Sequence, residues 1–165
     1  MSTTDGPMLN ARVVAMSAVV AAAVTVSTMV SIPVGIGYLN FGEVVIYTAA
    51  FLFGGVVGGL GGGVGAAAAD VILGYGMFAP VTFVAKGIEG FIVGRLAGDS
   101  IRSKAIAVAA GAPFMIAAYV LTVAYLEGIP LAIPELAIDI LQAVVGFAVA
   151  LPLSRSLQSR LPELQ

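Results

Sequence analysis

Asp70, Lys86 and Glu89 stand inside long apolar stretches of the sequence. An ionisable side chain there is costly and marks a site for a ligand, an ion or a proton. Lys86 and Glu89 are three residues apart, which sets them on one face of a helix. Asp139 and Gln142 repeat that spacing further on, and Glu43 and Tyr47, four apart, share a face of their own. At about 1.5 Å of rise per residue, Asp70 and Lys86 lie roughly 9 and 10 Å below the same end of their helices, so the two are expected to pair. The segment Tyr38-Leu39-Asn40 belongs to that end as well. Such a layer offers charge and hydrogen bonds rather than a nucleophile. The chain has no Cys and no His, which removes thiol chemistry, disulfides, zinc–histidine and haem–histidine sites and the commonest general base. Asp70 with Asp139 is an aspartate pair without a supporting catalytic motif. No catalytic residue, metal or cofactor is expected.

The elements that carry these residues are membrane spans. Of 165 residues, 60% are hydrophobic and 10% charged, with a mean hydropathy of +1.10. Soluble domains carry about 25% charged residues, so a soluble fold, a disordered chain and a nucleic-acid partner are excluded. Long unbroken apolar runs exclude a barrel of alternating strands. The expected fold is all-α: a polytopic membrane protein, one domain, a six-transmembrane-helix bundle with short loops. The spans are predicted at about 13–32, 41–61, 64–75, 81–96, 105–126 and 135–153. Pro33, Gly35, Gly37 and Asn40 mark a loop over 31–40, Gly61 to Gly63 a tight turn, and Pro113 a kink in the fifth span. The first span is read as retained, not as a cleaved signal peptide.

Six spans put both termini on one side, together with Arg12, Arg95, Arg102, Lys104, Arg155 and Arg160, six of the seven basic residues. The positive-inside rule makes that side the cytoplasm of a plasma-membrane protein. Of the acids, Asp5, Asp99 and Glu163 join them, while Glu43, Asp70, Glu89, Glu127, Glu135 and Asp139 lie in the outer half with Lys86. A cavity open to the outside would use Tyr38, Asn40, Glu43, Tyr47, Asp70, Lys86, Glu89, Asp139 and Gln142 as ligand contacts. The structural alternative is a closed ion network of Asp70, Lys86 and Glu89 between helices. Glu127 and Glu135, at a loop edge, are expected to be solvated. One cation among several carboxylates disfavours a strongly anionic ligand and suits a neutral or weakly basic ring.

Small residues form stripes. Gly54-Gly58-Gly62, Gly55-Gly59-Gly63 and Gly61-Gly65-Ala69 fit internal helix packing of the small-xxx-small kind. The glycine run does not end in Gly-Lys-Ser/Thr and is no phosphate loop. Ala11, Ala15, Ala18 and Ala22 make a smooth line on the first span, suited to internal packing or to docking another membrane subunit. Without a nucleotide motif, a transporter of this size is passive, ion-driven or dependent on a separate motor. A stand-alone ion-coupled carrier or channel, with Asp70, Lys86 and Glu89 as relay, is the competing reading.

The order of features resembles an S component, the substrate-binding subunit of energy-coupling factor (ECF) vitamin transporters. The resemblance is carried by Ala18-x-x-x-Ala22, Ile32-Pro33, Gly37-Tyr38-Leu39-Asn40-Phe41-Gly42-Glu43, Phe53-Gly54-Gly55-Val56-Val57-Gly58, Ala68-Ala69-Asp70, Gly74-Tyr75, Ala79-Pro80-Val81-Thr82-Phe83 and Lys86-Gly87-x-Glu89-Gly90. Within the family the chain is most similar to the hydroxymethylpyrimidine- and pyridoxine-type group, which often has Asp where this chain has Glu43. The resemblance implies capture of a vitamin or precursor with a pyrimidine- or pyridine-like ring from outside. It also implies association with a transmembrane coupling subunit and two ATPase subunits, toppling in the bilayer, and release inside. Ala18 and Ala22, extended by Ala11 and Ala15, would meet the coupling subunit. Tyr38, Asn40, Glu43, Asp70, Lys86 and Glu89 would line the ligand site.

Overall fold

The computed structural model describes residues 10–34 and 38–160. Asp5, Gly35, Gly37 and Glu163, used above, lie outside that range. Helix α1 covers Ala11–Met29, strands β1 (Ser31–Pro33) and β2 (Tyr38–Asn40) follow, and then come α2 (Gly42–Leu73), α3 (Ala79–Leu96), α4 (Ile101–Leu126) and α5 (Ile129–Gln158). The strands pair antiparallel, Ser31 opposite Asn40 and Pro33 opposite Tyr38, so the expected loop over 31–40 holds a short hairpin.

Local chemistry sets the ends. The Asn10 side chain accepts a hydrogen bond from the Val13 N–H at 2.9 Å, and Ser100 caps α4 through the Ser103 N–H at 3.0 Å. Pro80 and Pro130 stand in the first turns of α3 and α5, where no intrahelical N–H is lost. Helix α5 starts at Ile129, directly after Gly128 at φ 100°, and absorbs most of the predicted loop over 127–134.

The largest correction concerns α2. Two spans were expected, 41–61 and 64–75, separated by a turn at Gly61, Gly62 and Gly63. Those three glycines are helical and buried. The break is at Gly54, whose φ of 81° and ψ of −178° lie outside helical geometry and favour glycine. There the chain folds back on itself. A Cβ on Gly58 would lie 2.9 Å from the Ala50 Cβ, and one on Gly62 3.2 Å from Ile46 Cγ1. Residues 42–53 and 55–73 are therefore two antiparallel arms. The first arm is only about 18 Å long, short of a hydrocarbon core of roughly 30 Å. In place of six separate spans there are five helices. Four of them (α1, α2, α4 and α5) are long and apolar enough to cross a membrane. Helix α3 is not among them; it carries Lys86, Glu89 and Arg95.

The second arm of α2 is the axis of the fold, and its glycines face three neighbours. Gly58 and Gly62 face the first arm. Gly59 and Gly63 face α3, where a Cβ would come within 2.9 Å of the Gly87 carbonyl and 2.7 Å of the Phe83 carbonyl. Gly61 and Gly65 face α1 at Val20 and Val24. Gly90 and Gly94 answer from α3 against the backbone of Gly58 and Gly55. Beyond α3, α4 packs through Gly111 against Val93, and α5 packs through Gly146 against Glu43 and Tyr47 of the first arm. The buried core (Val24, Ile46, Tyr47, Val57, Val93 and Met115 among others) fills the space between. This path brings Arg12, Arg95, Arg102, Lys104, Arg155 and Arg160 to one end of the bundle. The hairpin and the turns before α3 and α5 lie at the other.

A Cβ at Gly94 would sit 2.5 Å from backbone atoms of Gly54 and Gly55, whereas one at Gly76 meets nothing within 4 Å. Gly94→Ala is expected to cost about 1–3 kcal/mol by forcing the reversal open, and Gly76→Ala to be silent. Thermal unfolding of both variants in detergent checks the contrast.

Candidate functional site

At the hairpin end the helices enclose a cavity of about 400 Å³. Its floor is ionic. Lys86 forms an ion pair with Glu43 of the first arm and a second, at 3.7 Å, with Glu89 one turn along its own helix. All three are buried. The Tyr47 hydroxyl donates to Glu89 Oε1 at 2.6 Å, and the Lys86 ammonium lies 5.3 Å from the centroid of the Tyr119 ring, within cation–π range. Glu43 also stands in the first turn of α2, where the helix dipole favours a carboxylate. Buried charges survive only when paired and hydrogen-bonded; here Lys86 pairs with both glutamates and Tyr47 bonds Glu89, while Glu43 Oε2 and Glu89 Oε2 have no hydrogen-bond partner among the described residues.

One wall is a chain of hydroxyls. Tyr119 on α4 donates to Thr82 Oγ1 at 2.9 Å, and Thr82 on α3 donates to Asp70 Oδ2 at the end of α2. The roof is the strand hairpin. The Asn40 N–H donates to Gln142 Oε1 on α5 at 3.1 Å, while Asn40 Oδ1 accepts from the Gly42 N–H at 2.9 Å. The Asn40 backbone thus ties β2 to α5, and its side chain holds the first N–H of the first arm. Asp139, a turn before Gln142, faces the same space.

Of the nine residues expected to contact a ligand, Tyr38, Asn40, Glu43, Asp70, Lys86, Asp139 and Gln142 line the cavity. Tyr47 and Glu89 do not. Both are fully buried behind Lys86 and position it. The expected Asp70–Lys86 pair is replaced by Lys86–Glu43, because the first arm begins at the level of Lys86 and brings Glu43 to the amine first. Asp70 is held by Thr82 instead. Glu127 and Glu135, expected to be merely solvated, line the rim. Thr28, Tyr75, Phe78, Thr82 and Tyr119 also line the cavity and were missed. Two of them carried a signal: Thr82 is four residues before Lys86 on its face, and Tyr119 is a phenol in an apolar run at matching depth. Among the described residues no group of three or more acidic side chains is placed to hold a metal ion.

The glycine and alanine stripes part company. The glycines are internal, whereas Ala11, Ala15, Ala18 and Ala22 are all exposed, because Ser17, Val20, Ala21 and Val24 form the packed face of α1.

Residues 8–159 match the family model of the ECF-type riboflavin transporter S component. The chain belongs to that family. It is also 42% identical over 144 residues to a protein of Pyrococcus woesei described as "Uncharacterized protein in gap 3'region", an alignment covering 84% of this chain and 97% of that one. The match gives the S-component family and does not reach the narrower hydroxymethylpyrimidine- and pyridoxine-type group. An S component is a multi-pass membrane subunit of a transporter, not an enzyme, and its family works on vitamins together with coupling and ATPase subunits. The apolar helices of this S component agree with that setting.

Lys86→Met leaves Glu43 and Glu89 buried without a cation and is expected to destabilise the S component by about 3–5 kcal/mol. Adding Glu43→Gln and Glu89→Gln should restore most of the loss. Unfolding midpoints of the single and triple variants in detergent test the compensation.

Proposed function

We propose that this S component captures a small, uncharged or weakly basic heteroaromatic vitamin or precursor in the hairpin-end cavity and delivers it inward with a coupling subunit and two ATPase subunits. The observation that carries the reading is the convergence of polar side chains from the hairpin and all five helices on one roofed hollow above Lys86. A volume of about 400 Å³ lies in the range of small-molecule pockets, about 300–1,000 Å³. The family description makes riboflavin the first compound to test. Pyrimidine- and pyridine-like rings follow, on the strength of the sequence motifs.

The arginine-rich end is the cytoplasmic one by the positive-inside rule, so both termini are cytoplasmic and the cavity opens outward. The exposed line of Ala11, Ala15, Ala18 and Ala22 supports docking of the coupling subunit there: small side chains let a partner helix approach closely in lipid. Lys86 is internally paired and the other basic residues gather at one end, which eases the toppling that delivery requires.

The competing reading, an ion-coupled carrier with an Asp70–Lys86–Glu89 relay, finds less support. Asp70 bonds to Thr82, whereas Lys86 is held by Glu43 and Glu89, so the three residues do not form one run of contacts. Sustained flux through liposomes holding the purified chain alone, without ATP, would favour that carrier.

Ala18→Leu combined with Ala22→Leu should leave riboflavin affinity within about twofold, since neither residue faces the core, and reduce uptake at least about tenfold in proteoliposomes with the partner subunits. Equal loss of binding and uptake would return the stripe to internal packing.

A further inference from the structure

We propose that the cavity rejects ligands bearing phosphate or carboxylate groups, and that Glu43 and Asp139 set this preference by accepting hydrogen bonds from donors on the buried end of the ligand. The inference rests on reading the cavity as the substrate site and specifies which chemical forms that site takes.

The first observation is the balance of charge. Among the described residues that line the cavity, Lys86 is the one cation, and it is already engaged by Glu43 and Glu89. Asp70, Asp139 and Glu135 face the same space. An incoming anion therefore meets no uncompensated positive charge and several carboxyl groups, and like charges brought together in a site cost several kcal/mol.

The second observation is unfilled hydrogen-bonding capacity. Glu43 Oε2 and Asp139 Oδ2 are buried without a hydrogen-bond partner among the described residues, and so is Thr28 Oγ1, which lines the same cavity. Glu43 is 1% and Asp139 3% exposed. A buried acceptor left unmade is expensive, the more so when charged, whereas Asp70, Thr82, Tyr119, Asn40 and Gln142 of the same site each have a partner. The two open oxygens come from α2 and α5, so a ligand that fills both ties the first arm to α5. An imide N–H, a hydroxyl or an amine supplies what they need. A phosphate or carboxylate, which only accepts, does not.

The test pairs each parent compound with its phosphate ester: riboflavin with riboflavin 5′-phosphate, and pyridoxine with pyridoxine 5′-phosphate, titrated against the detergent-purified chain. The phosphate form is expected to bind at least about 100-fold more weakly than its parent. Asp139→Asn, which replaces the unpartnered carboxyl oxygen with an amide N–H donor while keeping a polar group of the same size, should shrink that ratio about tenfold. A purely structural role for Asp139 would move both affinities together and leave the ratio alone. Equal affinity for parent and ester would overturn the inference while leaving the S-component reading intact. Mass spectrometry of any compound retained through purification separates the two further. A retained donor-rich compound that is not a vitamin would sink the substrate reading but support the selectivity. A retained phosphate ester would sink the selectivity alone. Failure of every parent and ester to bind, with nothing retained, would remove the site and both readings with it.

Discussion

Close approach of backbones around the second arm of α2 is the constraint on which the rest of the structure depends. In lipid there is little hydrophobic gain in burying one apolar helix against another, so association relies on packing and on interhelical hydrogen bonds. Residues 55–73 meet this by carrying glycine on three faces, each against a different neighbour: the first arm, α3 and α1. The Thr25 hydroxyl adds a hydrogen bond across the α1 contact, donating to the Gly65 carbonyl at 2.9 Å. Larger side chains on any of the three faces would push the surrounding helices outward and separate the groups that make the site.

That closeness lets charge be buried near the middle of the bundle. Glu43 belongs to an arm that starts beneath the hairpin, Lys86 and Glu89 to α3, and Tyr47 to the next turn of the arm. The cluster joins the two elements that flank the glycine-faced arm, and α5 closes over it through Gly146. A lysine held between two glutamates is both scaffold and floor. It pairs with the two buried glutamates, and it also lines the cavity. Depth separates the residues: Glu89 and Tyr47 brace Lys86 from behind, whereas Glu43 and Lys86 belong to the ion cluster and also line the cavity.

The proposed transport cycle draws on the same separation. One end of the bundle gathers exposed arginines, the other a roofed cavity with acidic walls, and the faces between are apolar. The exposed alanine line on α1 lies on those faces, on the side of the helix opposite its contact with Gly61 and Gly65. The proposed binding site and the proposed docking face are therefore carried by different surfaces.

The apolar composition, the paucity of charge and the absence of Cys and His determine by themselves that this is a helical membrane protein without thiol or histidine chemistry. The spacing of Lys86, Glu89, Asp139 and Gln142 sets which residues share a helix face, since 3.6-residue periodicity is local. The basic residues also sort to one end on sequence alone. Tertiary structure decided what periodicity cannot see. A run of glycines reads as a turn when taken locally, yet Gly61, Gly62 and Gly63 stay helical because neighbouring backbones occupy the space their side chains would fill. The reversal moved to Gly54, and with it the depth of the first arm, so that Glu43 rather than Asp70 became the partner of Lys86. Which polar residues face the hollow, and which brace it from behind, depended on that one displacement. A side chain's partner is fixed by where a second helix begins, and no local pattern encodes that.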